Sequence, residues 1–335
     1  MSELIQTSAP SIKGKARTRK TVSNIKRIGI SISGLLLVVW GVVTASFILI
    51  SLIPGDPALA IIGGGDAAIS EETLDEVRRT HGLDQPVAQQ YLAYIGRIIT
   101  GDFGESYALR ESVLSVLTRQ LGPTLVLSGL ALTIAVVLAV GVATLSVRLK
   151  RGGDVVINFL EVTAAAMPHF WLGALLITGL AVNLQIFSAT SSTNSLRDLF
   201  LPAFTLSVPL AGFMAQLMRE SLLDSHSAPF AEAARGRGEA EFGITARHAL
   251  RHSLVPLVNL SGWAFGSLIS GAVVVESIFA REGIGRTLLN AVLARDIPLV
   301  TGGLILIAVI YVLVNIVSEL LIIKIDPRII GEGAA

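Results

Sequence analysis

Ionisable side chains inside long apolar stretches are the residues best placed to do chemistry here, because each is costly to hold there. His169 follows Pro168 and precedes Phe170 and Trp171 in one such stretch. Its imidazole suits a hydrogen bond to a carboxylate or amide on a passing solute, or a neutral bond to a neighbouring helix. Glu161 lies earlier in the same stretch, near its inner end. Glu276 and Asp296 suit an outer gate or a docking contact; a bond at a helix end is the other reading of Glu276. Asn315 and Glu319 stand four apart and share a helix face, directed at a cavity or at a second subunit. His169, Phe170, Trp171 and Asn315 are therefore the candidates for a solute path.

Catalysis has little to work with. The chain has no cysteine, so thiolate nucleophiles, disulfides and thiolate-held clusters are excluded. No nucleophile–base pair stands on the apolar runs, and no catalytic residue is expected. No metal site is expected either: His248 and His252 are one helical turn apart but read as solvated or headgroup contacts. A G-x-x-x-x-G-K-[ST] phosphate loop is absent, since Gly63–Gly65 lacks the lysine.

The elements that position these residues are membrane spans. Of 335 residues, 52% are hydrophobic and 15% charged, against about 25% charged in soluble domains. Mean hydropathy is +0.70. Crossing about 30 Å of hydrocarbon takes roughly 20 helical residues. Six continuous runs meet that length, at 28–53, 123–147, 155–182, 200–218, 256–279 and 301–323. They lack the period-two alternation of barrel strands. The expected fold is all-α with six transmembrane helices. The run at 28–53 is too long for a signal-peptide core, so it reads as a retained anchor.

Basic residues mark the inner side. They fill the segment 1–27 and recur at Arg148, Lys150 and Arg151, then at Lys324 and Arg328. Six spans then place both ends in the cytoplasm. The segment 54–122 carries ten acids and five arginines and falls outside. In it, Ser70 caps a helix opened by Glu71 and Glu72, Gly82 stops it, and Pro86 opens a second. Val87, Tyr91, Leu92, Ile95, Ile98 and Ile99 make an apolar stripe there, as a lid on the bundle or as a docking platform. The net charge of +1 gives no pull toward nucleic acid.

The inner loop 219–255 is longer than a connector needs. Ser227 as cap and Pro229 in the first turn open a short helix over Phe230, Ala231, Glu232, Ala233, Ala234 and Arg235, which Gly236 and Gly238 close. Alanines permit close approach, and Glu232 is free to meet a cation on a partner, so the helix suits a groove on another protein. An interfacial helix on lipid is the other reading. Beyond it, Phe242, Ala246, Ala249, Leu250 and Leu254 recur at helical spacing, and Pro256 starts the next span.

EAARGRG at 232–238 followed by RHALRHSLVP at 247–256 resembles the EAA loop of ABC importer permeases, more closely the dipeptide/oligopeptide/nickel class. PGDPA at 54–58, HGLDQPVAQQY at 81–91, GDFGESY at 101–107, the stretch 201–223, VVVESIF at 273–279, ARDIPLV at 294–300 and DPRI at 326–329 extend the resemblance over nearly the whole chain. It departs at Arg281–Glu282, more often Trp-Pro, and at His169, more often Ser or Thr. The resemblance implies a type I importer permease: a helical extracytoplasmic insertion at 54–122, a five-helix core at 123–323 and a cytoplasmic tail at 324–335. It implies coupling through Phe230–Arg235 and Gly238. The implied partners are a homologous second permease, two ATP-binding subunits or one fused ATPase, an extracytoplasmic substrate-binding protein, and membrane lipid. ATP and Mg would sit on the ATPase subunits, and no cofactor on this chain, which is then not itself an enzyme. The plasma (inner) membrane of a bacterium is the implied location. Nickel, glutathione or another small solute are alternatives to peptides. An ion-coupled secondary transporter fits less well, for want of an inverted repeat and of paired mid-span charges. Gly262-x-x-x-Gly266 with Ser267 and Gly271 forms a small-residue face, suited to packing between two permeases or within one.

Overall fold

The computed structural model describes residues 33–34, 36–48, 51–52, 57–62, 70–80, 82–149, 151–191 and 195–325. The basic segment 1–27, the start of PGDPA and DPRI lie outside them. The described chain is helical. Helix α1 is Leu36–Ile48, followed by α2 (Pro57–Ile62), α3 (Glu71–Thr80) and α4 (Val87–Ile99). Then come α5 (Val113–Arg148), α6 (Arg151–Ala166), α7 (His169–Leu176, continued by a wide π turn over Ile177–Asn183) and α8 (Leu196–Ser227). The remainder is α9 (Pro229–Gly236), α10 (Glu241–Ile244), α11 (Leu250–Asn259), α12 (Ser261–Ile278), α13 (Ile284–Leu293) and α14 (Ile297–Ile325).

Among the described residues three helices are long and apolar enough to cross a membrane, within α5, α8 and α14, or four if the bent pair α6–α7 is one span. The run at 155–182 is therefore not one straight helix. It breaks at Met167–Pro168, where the chain bends by 102°. Proline cannot donate to the helix ladder and pushes the residue before it out of the α region. Here that yields a full break rather than a kink, with Pro168 extended at φ −67°, ψ 134°. The fifth run differs as well. Pro256 lies inside α11 rather than opening a span, and α12 begins after Leu260.

Helix α8 is the hub of the bundle, buried along most of its length. It packs along α5, where Leu127, Ala131, Ala135, Ala139 and Ala143 recur every fourth residue and are each 0% exposed. That ridge of methyl groups brings the helices close, which favours dispersion contact where lipid offers no hydrophobic drive. Two turns of α8 carry buried Pro202 and Pro209.

The outer segment folds as its residues dictate. The Ser70 hydroxyl accepts from the Thr73 amide at 3.3 Å, and Gly82 is left-handed at φ +66°. The stripe on α4 covers α1 in part: the Tyr91 ring lies tilted against Phe47, centroids 5.2 Å apart, and its hydroxyl meets Thr44 Oγ1 at 2.7 Å. Val87, Leu92 and Ile99 stay exposed.

Candidate functional site

Helix α8 runs into the inner loop without a break. Ser227 is still its last residue, and the Ser227 hydroxyl donates to the Asp224 carbonyl at 2.9 Å. It is thus not the cap of α9; that place falls to Ala228, and Pro229 takes the first helical position. Ala231 and Ala234 are 0% exposed and pack with Ile244 and Phe230. The Phe230 ring stacks on His252, centroids 4.9 Å apart. Phe230, Ala231 and Ala234 therefore seat the helix, while Glu232, Ala233, Gly236 and Arg237 form its exposed face. Gly238 ends it at φ +81°. The Gly238 amide donates to Arg235 O at 2.9 Å and the Glu239 amide to Ala234 O at 3.2 Å, a Schellman ending that favours glycine.

Arg235 faces the protein's own loop. Its Nε donates to Glu241 Oε1 at 2.7 Å and its Nη1 to the His226 carbonyl at 3.0 Å. The Arg235 hydrogen bond holds the Glu241 carboxyl below its ordinary value, and the same bond raises Arg235. His226 Nε2 meets Thr245 Oγ1 at 3.0 Å. The end of α8, α9 and α10 are so tied into one knot.

A second feature is an open cleft of about 510 Å³ lined by His169, Trp263, Gly266, Ser267, Ser270, Gly271, Val274 and Tyr311. His169 is the first residue of α7, placed by the break at Pro168, and is half-buried against Gly271. The lining offers an imidazole, hydroxyls and aromatic faces, with no carboxylate or cationic side chain among the described residues. Phe170 and Trp171 are exposed and do not line it. Asn315 does not line it either; its Nδ2 donates to Tyr311 O at 2.8 Å. The glycine face of α12 is filled from within the chain. Side chains added at Gly262 and Gly266 would run into Asn315 and Tyr311 of α14. It therefore serves intrachain packing.

Glu276 and Asp296 are helix anchors. Glu276 is 0% exposed. Its carboxylate accepts from Thr124 Oγ1 at 2.6 Å, from the Arg286 amide at 3.0 Å and from the Gly285 amide. It caps α13, an element the sequence reading missed. The signals for α13 were Gly283, whose added Cβ would strike that carboxylate, and Ile284, Leu288 and Ala291, which are buried. Asp296 is also 0% exposed and accepts from Ser106 Oγ, from the Ala108 amide at 3.1 Å and from the Leu299 amide at 3.3 Å. It opens α14 and pins the loop after α4. Glu161 is buried and accepts from Arg219 Nε at 3.1 Å.

Two family descriptions match this chain: binding-protein-dependent transport system inner membrane component over residues 110–331, and its N-terminal counterpart over 24–128. The chain is 32% identical over 313 residues to a protein of Brucella suis biovar 1 named as a peptide transport system permease, covering 91% of this chain and 98% of that one. It is 34% identical over 285 residues to the glutathione transport system permease protein GsiC of Salmonella choleraesuis, covering 84% and 92%. The inward-facing MetNI methionine ABC transporter matches in structure with a TM-score of 0.51 at 17% identity, over 64% of this chain and 97% of that chain. That likeness is one of fold.

Proposed function

The chain belongs to the binding-protein-dependent transport system inner membrane component family, and from that premise we propose that it forms half of the translocation path of an ATP-driven importer of di- and oligopeptides. Six spans carry it: a first around α1, then α5, α6–α7, α8, α11–α12 and α14, with both ends in the cytoplasm of a bacterium. A second permease of the same build completes the path, and two ATPase subunits act beneath α9. An extracytoplasmic protein delivers solute to the face built by α3, α4 and the loop that Asp296 pins. Peptide as solute is supported by the relatives named for peptide transport. Glutathione, itself a short peptide, is the second reading, supported by the relatives named for it.

The observation that carries coupling is the two-faced α9. Its Ala231/Ala234 side is buried in the chain, while Glu232, Ala233 and Gly236 present a small, acidic face outward. Because only the extended Ala228 separates α8 from α9, displacement of α9 pulls on the hub of the bundle. The cleft at His169 suits amide and hydroxyl contacts and makes no demand on solute charge, which fits peptides of varied sequence. In proteoliposomes holding the assembled complex, Glu232→Lys is expected to cut ATP-driven dipeptide uptake at least tenfold while the subunits still co-purify. Uptake at the parent rate would overturn the coupling role of α9.

A further inference from the structure

Arg219 lies in α8 about 12 Å before α9, at 1.5 Å per residue over the eight positions to Ser227. Three side chains of α6 converge on it. Arg219 Nη1 donates to Asp154 at 3.2 Å, Nη2 to Asn158 Oδ1 at 2.7 Å, and Nε to Glu161 at 3.1 Å. Positions 154, 158 and 161 follow the i, i+4, i+7 spacing of one helix face, so a single guanidinium gathers a whole stripe of α6. The Glu161 side chain is 1% exposed and that of Arg219 15%. Glu161 Oε1 takes no hydrogen bond within the described residues. Removing the arginine would therefore leave a buried carboxylate without its counter-charge, which is strongly unfavourable. Two turns earlier in α8, a Cβ at Gly212 would overlap the Glu161 carbonyl and the Ala165 amide, so the two backbones touch. Immediately past this contact, α6 ends and the 102° break at Met167–Pro168 begins.

We propose that Arg219 is a positioning residue for coupling: with Asp154, Asn158 and Glu161 it locks α6 onto α8, so that motion of α9 carries both helices as one body and bends the chain at Met167–Pro168, beside His169 of the cleft. The inference rests on the coupling function proposed above. It adds which helices travel together and where the chain gives way. The fork geometry explains why arginine stands there, since a lysine ammonium cannot span three acceptors along a helix face.

The test uses the assembled complex, with spin labels on cysteines introduced into this cysteine-free chain. One pair, Val156→Cys with Leu223→Cys, spans the clamp from α6 to α8. The other, Val156→Cys with Leu175→Cys, spans the hinge from α6 to α7. All three positions are exposed. Between the nucleotide-free state and the state trapped with ATP and vanadate, the clamp distance is expected to hold and the hinge distance to shift. Arg219→Gln is expected to broaden the clamp distribution, and Arg219→Lys to restore it only in part. A clamp distance that shifts with nucleotide in the parent chain, or a hinge distance that does not, overturns the proposal. If Arg219→Gln fails to assemble, Arg219→Lys, which keeps the counter-charge, carries the test, and a clamp distribution as narrow as the parent's in either variant overturns the role of Arg219. The Glu232→Lys uptake assay reads the coupling function separately, so the two can fail independently.

Discussion

Three donors converge on Glu276, and that convergence makes it structural. Replacing it with alanine leaves the Arg286 and Gly285 amides without their buried acceptor. Each such group costs about 1–3 kcal/mol, so Glu276→Ala is expected to lower thermal stability in detergent by that order. An unchanged midpoint would contradict the capping role. The Arg235–Glu241 pair is exposed and adds little to global stability, yet it orients α9. A carboxyl held below its ordinary value of 4.5 contributes above that value and loses its contribution as pH falls through the lowered one. The brace is therefore intact near neutral pH and released on acidification. Glu241→Gln at neutral pH is expected to speed amide exchange over 229–238; equal protection in parent and variant would show that the brace does nothing. Sequence reading offered Glu276 a gate or a helix-end bond and leaned to the bond, but it could not name the partners. Its partner Thr124 stands 152 positions away, and no local pattern reports such a contact. His169, by contrast, stood out as an imidazole in an apolar run, and the fold puts it in the cleft.

Helices were the most legible part of the chain. The acids after Ser70, the proline at 229 and the glycine at 238 each fall at a helix end, because caps and stops act on the backbone locally. Pro168 by itself signals a kink, but the full break at Met167–Pro168 is not legible, since composition on either side stays apolar and hydropathy cannot distinguish a bend from a continuation. α13 was missed because ten residues are too short for a span, and its anchors come from α5 and α12. The alanine ridge of α5 went unread as well, because alanine carries no periodic contrast among leucines and valines. It makes a sharp prediction. Ala139 is 0% exposed against α8, so Ala139→Leu forces the helices apart at a cost of about 1–3 kcal/mol. Thermal stability in detergent checks it: a drop of that size is expected, and a gain would mean the ridge leaves unfilled space.

The molecule is a bundle organised around α8, which joins three functional regions. Its first turns follow the loop of Ser191, whose amide donates to the Phe279 carbonyl, its middle packs the alanine ridge, and its last turn leads through Ala228 to α9. Membrane embedding followed from composition alone, because 52% apolar and 15% charged residues leave no soluble arrangement. The division of labour did not follow from composition. It came from the two-faced α9 and from motifs spread along the chain. The cleft at His169 is open and lined by α7, α12 and α14. The most direct test of the central claim is solute flux in liposomes, comparing this chain alone with the chain co-purified with its second permease and ATPases. Dipeptide uptake that needs the partners and ATP, and ignores imposed proton or sodium gradients, is the expected result. Uptake by the chain alone on an ion gradient would contradict the importer and make it a secondary transporter.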